Sequence, residues 1–297
     1  MRHKIMTVRE ARLQAGQRVS LHGHVQAIRR LGSLTFVVLR DRTGNIQLVA
    51  DGTNLALKDL GLEQAIVAHG LLVESSAGSK PLVEMQVESV EILSARQPAA
   101  LPVEISKEKR MQSLGLPSLL NYRPLTLRNE KVRAIFKIEA AVCAAFRQFL
   151  CAHEFTEIHS SKIVSTGTEG GANLFTVDYF GRKAFLAQSP QFYKQIMVGV
   201  FERVFEIGPV YRAEEHNTVR HINEYVSMDI EMGFIHSEQD LIEMETKLLA
   251  HIFAYLQETC EEELKMHEAK IPEFKEIPSV TLEEANAIVK MKTNAKA

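Results

Sequence analysis

Ionisable side chains at strand spacing lie between Arg203 and Phe234. Two alternating stretches, Arg203-Val-Phe-Glu-Ile-Gly-Pro-Val-Tyr-Arg-Ala-Glu and Asn223-Glu-Tyr-Val-Ser-Met-Asp-Ile-Glu-Met-Gly-Phe, flank the polar loop Glu215-His-Asn-Thr-Val-Arg-His-Ile. Side chains of extended chain alternate, so Tyr225, Ser227, Asp229 and Glu231 share one face and Val226, Met228, Ile230 and Met232 the other, which should enter a core. Arg212 and Glu214 are two apart and share a face as well. A face holding Arg212, Glu214, Asp229 and Glu231 either pairs internally or holds a charged ligand, because a planar guanidinium grips phosphate bidentately. His216, Arg220 and His221 in the loop add three candidate phosphate contacts.

Three further groupings carry chemistry. In Gln188-Ser-Pro-Gln-Phe-Tyr-Lys-Gln, Ser189 is a good helix N-cap and Pro190 suits a first turn. Gln191 and Lys194 then share a helix face, fit either for a ligand bearing both carboxylate and ammonium or for solvent. Thr166-Gly-Thr-Glu-Gly-Gly-Ala-Asn holds three glycines and one carboxylate, a loop able to close over a ligand or to sit as plain surface. Neither GxGxxG nor GxxxxGK[ST] occurs, so the two common phosphate-loop fingerprints are excluded. Phe36, Arg40 and Gln47, with His22 and His24 nearby, could stack on and read unpaired bases; alternatively Phe36 fills a core.

Elements must position these groups. Residues 1–100 read as β-rich: strands from Arg18, over Leu34–Asp41 and over Ile46–Ala50, a helix-like insert over Leu55–His69, then strands Gly70–Glu74 and Leu82–Leu93. About five strands with one helix in roughly 100 residues predict an OB-type β-barrel. Residues 101–121 read as a linker. Residues 122–297 open a second domain with a long amphipathic helix over Asn129–Glu154, a strand at Phe155–His159, the hairpin above, and a capped helix over Ser237–Gln257. The fold class is α+β, and the polar end after Lys290 should fray.

The chain has 297 residues with a net charge of −2, 45% hydrophobic and 24% charged, so a largely disordered chain is excluded. No apolar run approaches the ~18 residues of a membrane span, and the first residues do not resemble a signal peptide. Cys143, Cys151 and Cys260 make no CxxC pair, so neither a disulfide framework nor a metal site is expected, and a reducing cytoplasm is. Charge is uneven: residues 1–45 carry nine Lys/Arg against two acids, while residues 235–297 carry seven Lys against thirteen acids. A basic amino-terminal segment suits an anionic partner such as nucleic acid, or a solvated surface.

Taken together, these segments resemble the class II aminoacyl-tRNA synthetases, and within them the aspartate–tRNA ligases of archaeal and eukaryotic type. Leu34–Gln47 is similar to the family's anticodon-reading strand, Thr166–Phe175 to its closing loop, Gln188–Gln195 to its amino-acid helix and Phe205–Phe234 to class motif 2. The resemblance implies an OB-fold anticodon-binding domain and the amino-terminal part of an antiparallel-sheet catalytic domain with flanking helices. It implies ATP-dependent activation of L-aspartate to aspartyl-adenylate and transfer to tRNA(Asp), with tRNA(Asn) a second candidate. Arg212 would be the catalytic cation, on the substrate carboxylate and the α-phosphate. Glu169, Gln191, Phe192, Tyr193 and Lys194 would bind the amino acid, Lys194 favouring aspartate. Ala213, Glu214, Arg220, His221, Ile222 and Tyr225 would bind ATP. His24, Arg29, Phe36 and Gln47 would meet the anticodon. Mg²⁺ is expected with ATP, as is a homodimer.

Three departures from the family pattern stand out. Ser161 occupies the place of the motif 1 proline, at the family's dimer interface. His24 stands where strictly aspartate-specific members often carry tryptophan, hence the expectation of relaxed tRNA choice. Motif 3, with its arginine and the acidic Mg²⁺ ligands before it, is expected well beyond Phe234 and is not found. The chain is therefore expected to be an incomplete copy of a longer enzyme or a short tRNA-binding or regulatory relative. These residues alone are expected to be poor at adenylate formation.

Overall fold

The computed structural model describes residues 4–51, 57, 60–75, 82–96, 100–167, 173–216, 218, 221–273 and 277–294. The chain divides into two compact units, 1–133 and 134–297.

The first unit is built on β1 (Lys4–Met6), α1 (Val8–Ala11), β2 (Arg18–Leu31), β3 (Leu34–Arg40), β4 (Asn45–Asp51), β5 (Ala65–Ser75) and β6 (Leu82–Ile92). The sheet runs β1-β2-β3-β4-β6-β5 and closes through pairing of β2 with β5, giving a five-stranded barrel with β1 added parallel to β2. Closure leaves the barrel strands without open edges. Alternation fills the interior: Val19, Leu21, Val37, Leu39, Leu48, Ile66, Leu72 and Met85 are fully buried. Gly23 must be glycine, since a Cβ there would lie 2.5 Å from the Arg40 carbonyl oxygen. The helix expected over Leu55–His69 is corrected at its second half, where Ala65–His69 opens β5. There Ile66, Ala68 and Leu72 are buried at a period of two, because β2 and β6 flank the strand on both sides. Residues 101–121, expected as a linker, carry α2 (Glu108–Gln112) and α3 (Leu116–Asn121), followed by α4 (Arg123–Thr126). Val103, Ile105 and Met111 are buried there in a small cluster of their own.

The division between the units falls in the first turn of α5 (Glu130–Ala152). The second unit continues with β7 (Thr156–Glu157), β8 (Ile163–Val164), β9 (Thr176–Tyr179), β10 (Arg182–Leu186), α6 (Gln191–Phe201), β11 (Arg203–Tyr211), β12 (Glu224–Met232), α7 (Glu238–Thr259), α8 (Glu261–Met266) and α9 (Leu282–Asn294). The expected hairpin is there: β11 and β12 pair antiparallel from Arg203↔Met232 to Tyr211↔Glu224, and β7 adds parallel to β11. Phe146, Phe149 and Leu150 of α5 pack with Phe155, Phe205 and the α7 residues Leu248, Ile252 and Leu256. The apolar face of β12 only partly follows expectation. Ile230 and Met232 pack on this core, but Val226 and Met228 are exposed. Ser237 caps α7 with a capping box closed by Asp240.

Candidate functional site

In the second unit, the register fixes what the polar face of β12 meets. Asp229 lies opposite Glu206, and Ser227 opposite Gly208. Lys194 reaches across from α6, its Nζ 3.2 Å from Asp229 Oδ1 and 3.4 Å from Glu231 Oε2. The other Asp229 oxygen accepts a hydrogen bond from the Ser227 hydroxyl at 2.6 Å. One ammonium between two carboxylates leaves a surplus negative charge in a largely buried setting, which favours an incoming cation. Sequence spacing put Lys194 on a helix face with Gln191; it did not foresee that the lysine would neutralise the carboxylates of the hairpin.

The start of α6 differs by one residue from expectation. Pro190 is the N-cap, and the Ser189 hydroxyl accepts from the Gln191 N–H at 3.2 Å from one position earlier. Gln191, Phe192 and Tyr193 line a cleft of about 330 Å³ whose other wall is Val164–Gly167. That volume suits a small ligand. Gly167 is held close, since a Cβ there would lie 2.7 Å from the Leu174 side chain.

Arg212 follows β11 in a clamped loop. Its N–H donates to Asn223 O at 2.9 Å, and the Ala213 N–H donates to Asn173 O at 3.0 Å. The Asn223 amide, turned with its nitrogen toward the main chain, donates to Arg212 O and Glu214 O at 3.2 and 3.1 Å. His221 Nε2 lies 3.5 Å from Glu214 Oε2, and its Nδ1 lies 2.7 Å from Thr218 Oγ1. With the threonine hydroxyl donating to Nδ1, Nε2 carries the proton and faces the carboxylate. The structure thus brings together Arg212, Ala213, Glu214 and His221. Tyr225 is partly exposed on β12, and Ile222 is exposed. Glu169 and Arg220 lie outside the described residues.

Sequence reasoning missed a buried anchor on β11. Glu206 is buried, accepting from the Ser160 N–H at 2.8 Å and the Ser160 hydroxyl at 2.7 Å, with Lys162 Nζ 3.0 Å away. Lys162 O accepts from the Ala187 N–H, and Ala187 O accepts from the Tyr211 N–H, each at 3.0 Å. This path ties the carboxylate to the segments carrying Gln188 and Arg212. Its one sequence signal was a glutamate on the same side of the strand as Arg212, opposite the side of Phe205 and Ile207.

In the first unit, Phe36 is not a core residue: Thr35, Val37 and Leu39 point inward and Phe36 outward, half-buried. It lies between Arg29 and Val49 in register, and the adjacent row holds Ala27, Val38 and Gln47. Arg29, Phe36 and Gln47 therefore share an outward surface, with the Gln47 amide donating to Glu84 Oε2 at 3.0 Å. Arg40 does not belong to it. Its guanidinium is buried in a bidentate pair with Glu63, at 3.0 and 2.7 Å. His24 pairs with Arg40, four residues along β3 from Phe36, and lines a separate cleft. A β-bulge between Val25 and Ala27 shifts the alternation and places Gln26 with its Oε1 buried and without a hydrogen-bond partner among the described residues. Bulges re-aim side chains and recur beside functional sites, and strict alternation hid this one.

Comparisons with known proteins agree with both units. Residues 116–296 match the family described as tRNA synthetases class II (D, K and N), and residues 19–93 match the OB-fold nucleic acid binding domain. The chain belongs to the class II tRNA synthetases of the D, K and N group. It is 47% identical over 285 residues to an aspartate--tRNA(Asp/Asn) ligase of Thermus thermophilus, covering 95% of this chain and 65% of that protein. To an aspartate--tRNA(Asp) ligase of Pyrococcus horikoshii it is 39% identical, covering 92% of this chain and 63% of that protein. The crystal structure of asparaginyl-tRNA synthetase from Pyrococcus horikoshii complexed with asparaginyl-adenylate superposes with a TM-score of 0.84 at 26% identity, over 98% of this chain and 68% of that one. The chain thus spans just under two thirds of the length of these curated relatives.

Proposed function

We propose that this chain carries the anticodon-reading barrel and the amino-acid and ATP face of an aspartate–tRNA ligase that serves tRNA(Asp) and tRNA(Asn). The observation that carries the aspartate reading is Lys194, a mostly buried ammonium on α6 at the polar face of β12. A cation there suits a side-chain carboxylate and gives a carboxamide less. The similarity to ligases named for both tRNAs supports the dual reading.

The proposed reaction has two steps. The aspartate α-carboxylate attacks the α-phosphorus of ATP, forming aspartyl-adenylate and releasing pyrophosphate. The terminal adenosine of the tRNA then takes the acyl group and AMP leaves. Arg212 neutralises charge on the α-phosphate and holds the reacting carboxylate, and Glu214 takes the adenine edge. His221, with Arg220 beside it, meets the outer phosphates. Gln191, with Glu169, holds the substrate ammonium, which the surplus negative charge at Asp229 and Glu231 favours. Tyr225 stacks on adenine. Catalysis on this reading is positioning and charge compensation rather than general base chemistry. Mg²⁺ would accompany ATP, but no group of three or more His, Cys, Asp or Glu able to hold a metal ion is found among the described residues, so no step is drawn through it. The reading also includes a cytoplasmic homodimer; no described helix is long and apolar enough to cross a membrane.

Calorimetric titration of the chain with non-hydrolysable sulfamoyl analogues of aspartyl- and asparaginyl-adenylate tests the amino acid. Tighter binding of the aspartyl analogue is expected, and equal or reversed preference would sink the aspartate reading. Competition between tRNA(Asp), tRNA(Asn) and tRNA(Lys) transcripts tests the partner: the first two are expected to bind within about tenfold, roughly 1.4 kcal/mol, of each other.

A further inference from the structure

A second cleft, of about 440 Å³, opens at the far end of β2 and β3, lined by His22, His24, Arg40, Arg42, Arg128 and Arg133. Four guanidiniums meet there, and their counter-charges are accounted for. Glu63 takes both nitrogens of Arg40 and one of Arg128, the last at 2.6 Å. Asp41 is turned to the main chain: one oxygen accepts from the Val8 N–H at 2.8 Å, and the other from the Thr43 N–H and hydroxyl and the Gly44 N–H. Arg133 donates only to a neutral acceptor, Asp41 O, at 3.2 Å. Arg42 is exposed and makes no hydrogen bond or ion pair among the described residues. Among the described residues two positive charges are thus in excess. His24 at the rim is held below its ordinary value, first by burial and then by the charge of Arg40, with Glu63 opposing and Arg128 adding to the effect.

We propose that this cleft is a phosphate site that grips a backbone phosphodiester of RNA between Arg42 and Arg133, with His22 and His24 at its rim. The choice of RNA rests on the tRNA reading above. Planar guanidiniums suit the paired oxygens of a phosphodiester, and a contact of this kind positions a nucleic acid without reading sequence. The cleft lies four residues along β3 from Phe36, about 13 Å at strand rise. The phosphate it holds therefore belongs to a different nucleotide from the base that meets Phe36, so the cleft sets the angle of the RNA strand over the barrel.

The test uses the whole chain, tRNA(Asp) and tRNA(Asn) transcripts, and the variants Arg42→Gln and Arg133→Gln, with binding followed across a salt series. Each variant is expected to weaken both transcripts by the same factor, about three- to tenfold, and to flatten the salt slope by roughly 0.7–0.9, the signature of one lost phosphate contact. Because Arg42 has no hydrogen-bond or ion-pair partner among the described residues, its variant should keep the parent unfolding temperature. If both variants keep parent affinity and slope while Phe36→Ala still weakens binding, the cleft proposal is overturned and the tRNA reading survives. If the parent binds no transcript, both fall. A parallel titration with inorganic phosphate, followed by the His22 and His24 imidazole resonances, separates the sources. Saturable phosphate binding together with an unchanged RNA slope in the variants would assign the cleft to a free anion and overturn the RNA proposal.

Discussion

Lys194→Met is the most informative single change in the second unit. It removes an ammonium lying 3.2 Å from Asp229 and 3.4 Å from Glu231 while keeping much of the side-chain volume. If Lys194 holds the substrate carboxylate, the variant loses one charge-assisted hydrogen bond, about 1.5–3 kcal/mol, or roughly 10- to 150-fold in the affinity for an aspartyl-adenylate analogue. The asparaginyl analogue presents a neutral carboxamide and should lose far less, so the ratio of the two affinities should collapse toward one. A second effect must be separated. Without the lysine, two mostly buried carboxylates face each other uncompensated, which should lower the unfolding temperature. The double variant Lys194→Met, Asp229→Asn restores the charge balance and should recover stability without recovering the aspartate preference. Isothermal titration of both analogues against the parent, single and double variants gives the ratio, and calorimetry gives the stability. Equal weakening of the two analogues would refute the reasoning, because it would make Lys194 a structural cation that never meets the ligand.

Other changes test other links. Phe36→Ala should weaken tRNA binding by about 1–3 kcal/mol if the ring stacks on a base, with the barrel's stability little changed since the ring faces outward; filter binding and thermal unfolding check it. Glu63 is buried, which alone would raise its pKa, but hydrogen bonds and charge from Arg40 and Arg128 hold it below the ordinary glutamate range. Its stabilisation is therefore complete above the unfolded value of about 4.3 and is lost as pH falls through the folded value. Glu63→Gln should cost about 3 kcal/mol at neutral pH, and the variant's stability should depend less on pH below about 4.3. Residues 1–100 contain no Trp or Tyr, so the readout is hydrogen exchange of β3 and β5 rather than fluorescence. Gly23→Ala should destabilise the barrel by about 2–3 kcal/mol through overpacking against Arg40 O, seen in the same exchange experiment.

Elements governed by a single period were legible in the sequence. The β11–β12 pairing, α5, α7 and the barrel's inward residues all follow from alternation or helical spacing. Helices α5 and α7 and the barrel strands each have one more buried face, whereas the exposure of the two faces of β12 did not follow from its alternation. Where a second force intervened, the pattern misled. Ala65–His69 carries leucine spacing from the segment before it, yet pairing on both edges makes it strand. Arg40 has the residue type of a base reader, but Glu63, far away in sequence, folds back to bury it. The same blindness to long-range partners kept Lys194 apart from Asp229 and Glu231, and Glu206 apart from Ser160. Spacing sorts residues onto faces; only the register between strands shows which faces meet.

That register also bears on how an amino acid would enter the site. Among the described residues, the carboxylates of Asp229 and Glu231 share one ammonium, that of Lys194. A zwitterionic aspartate brings one ammonium and two carboxylates, and on the proposed reading Arg212 would take the carboxylate that reacts. On the aspartate reading, the substrate ammonium can replace Lys194 as partner of the sheet carboxylates, which frees Lys194 to turn to the substrate's side chain. Every charge keeps an opposite neighbour throughout, so no buried ion is left bare at any stage. An asparagine substrate supplies the ammonium but not the second carboxylate, and Lys194 would then be displaced with nothing equivalent to meet. Discrimination on this account comes from the charge an unmatched lysine would carry in a nearly dry site. It needs no steric block, since a carboxamide and a carboxylate have the same shape.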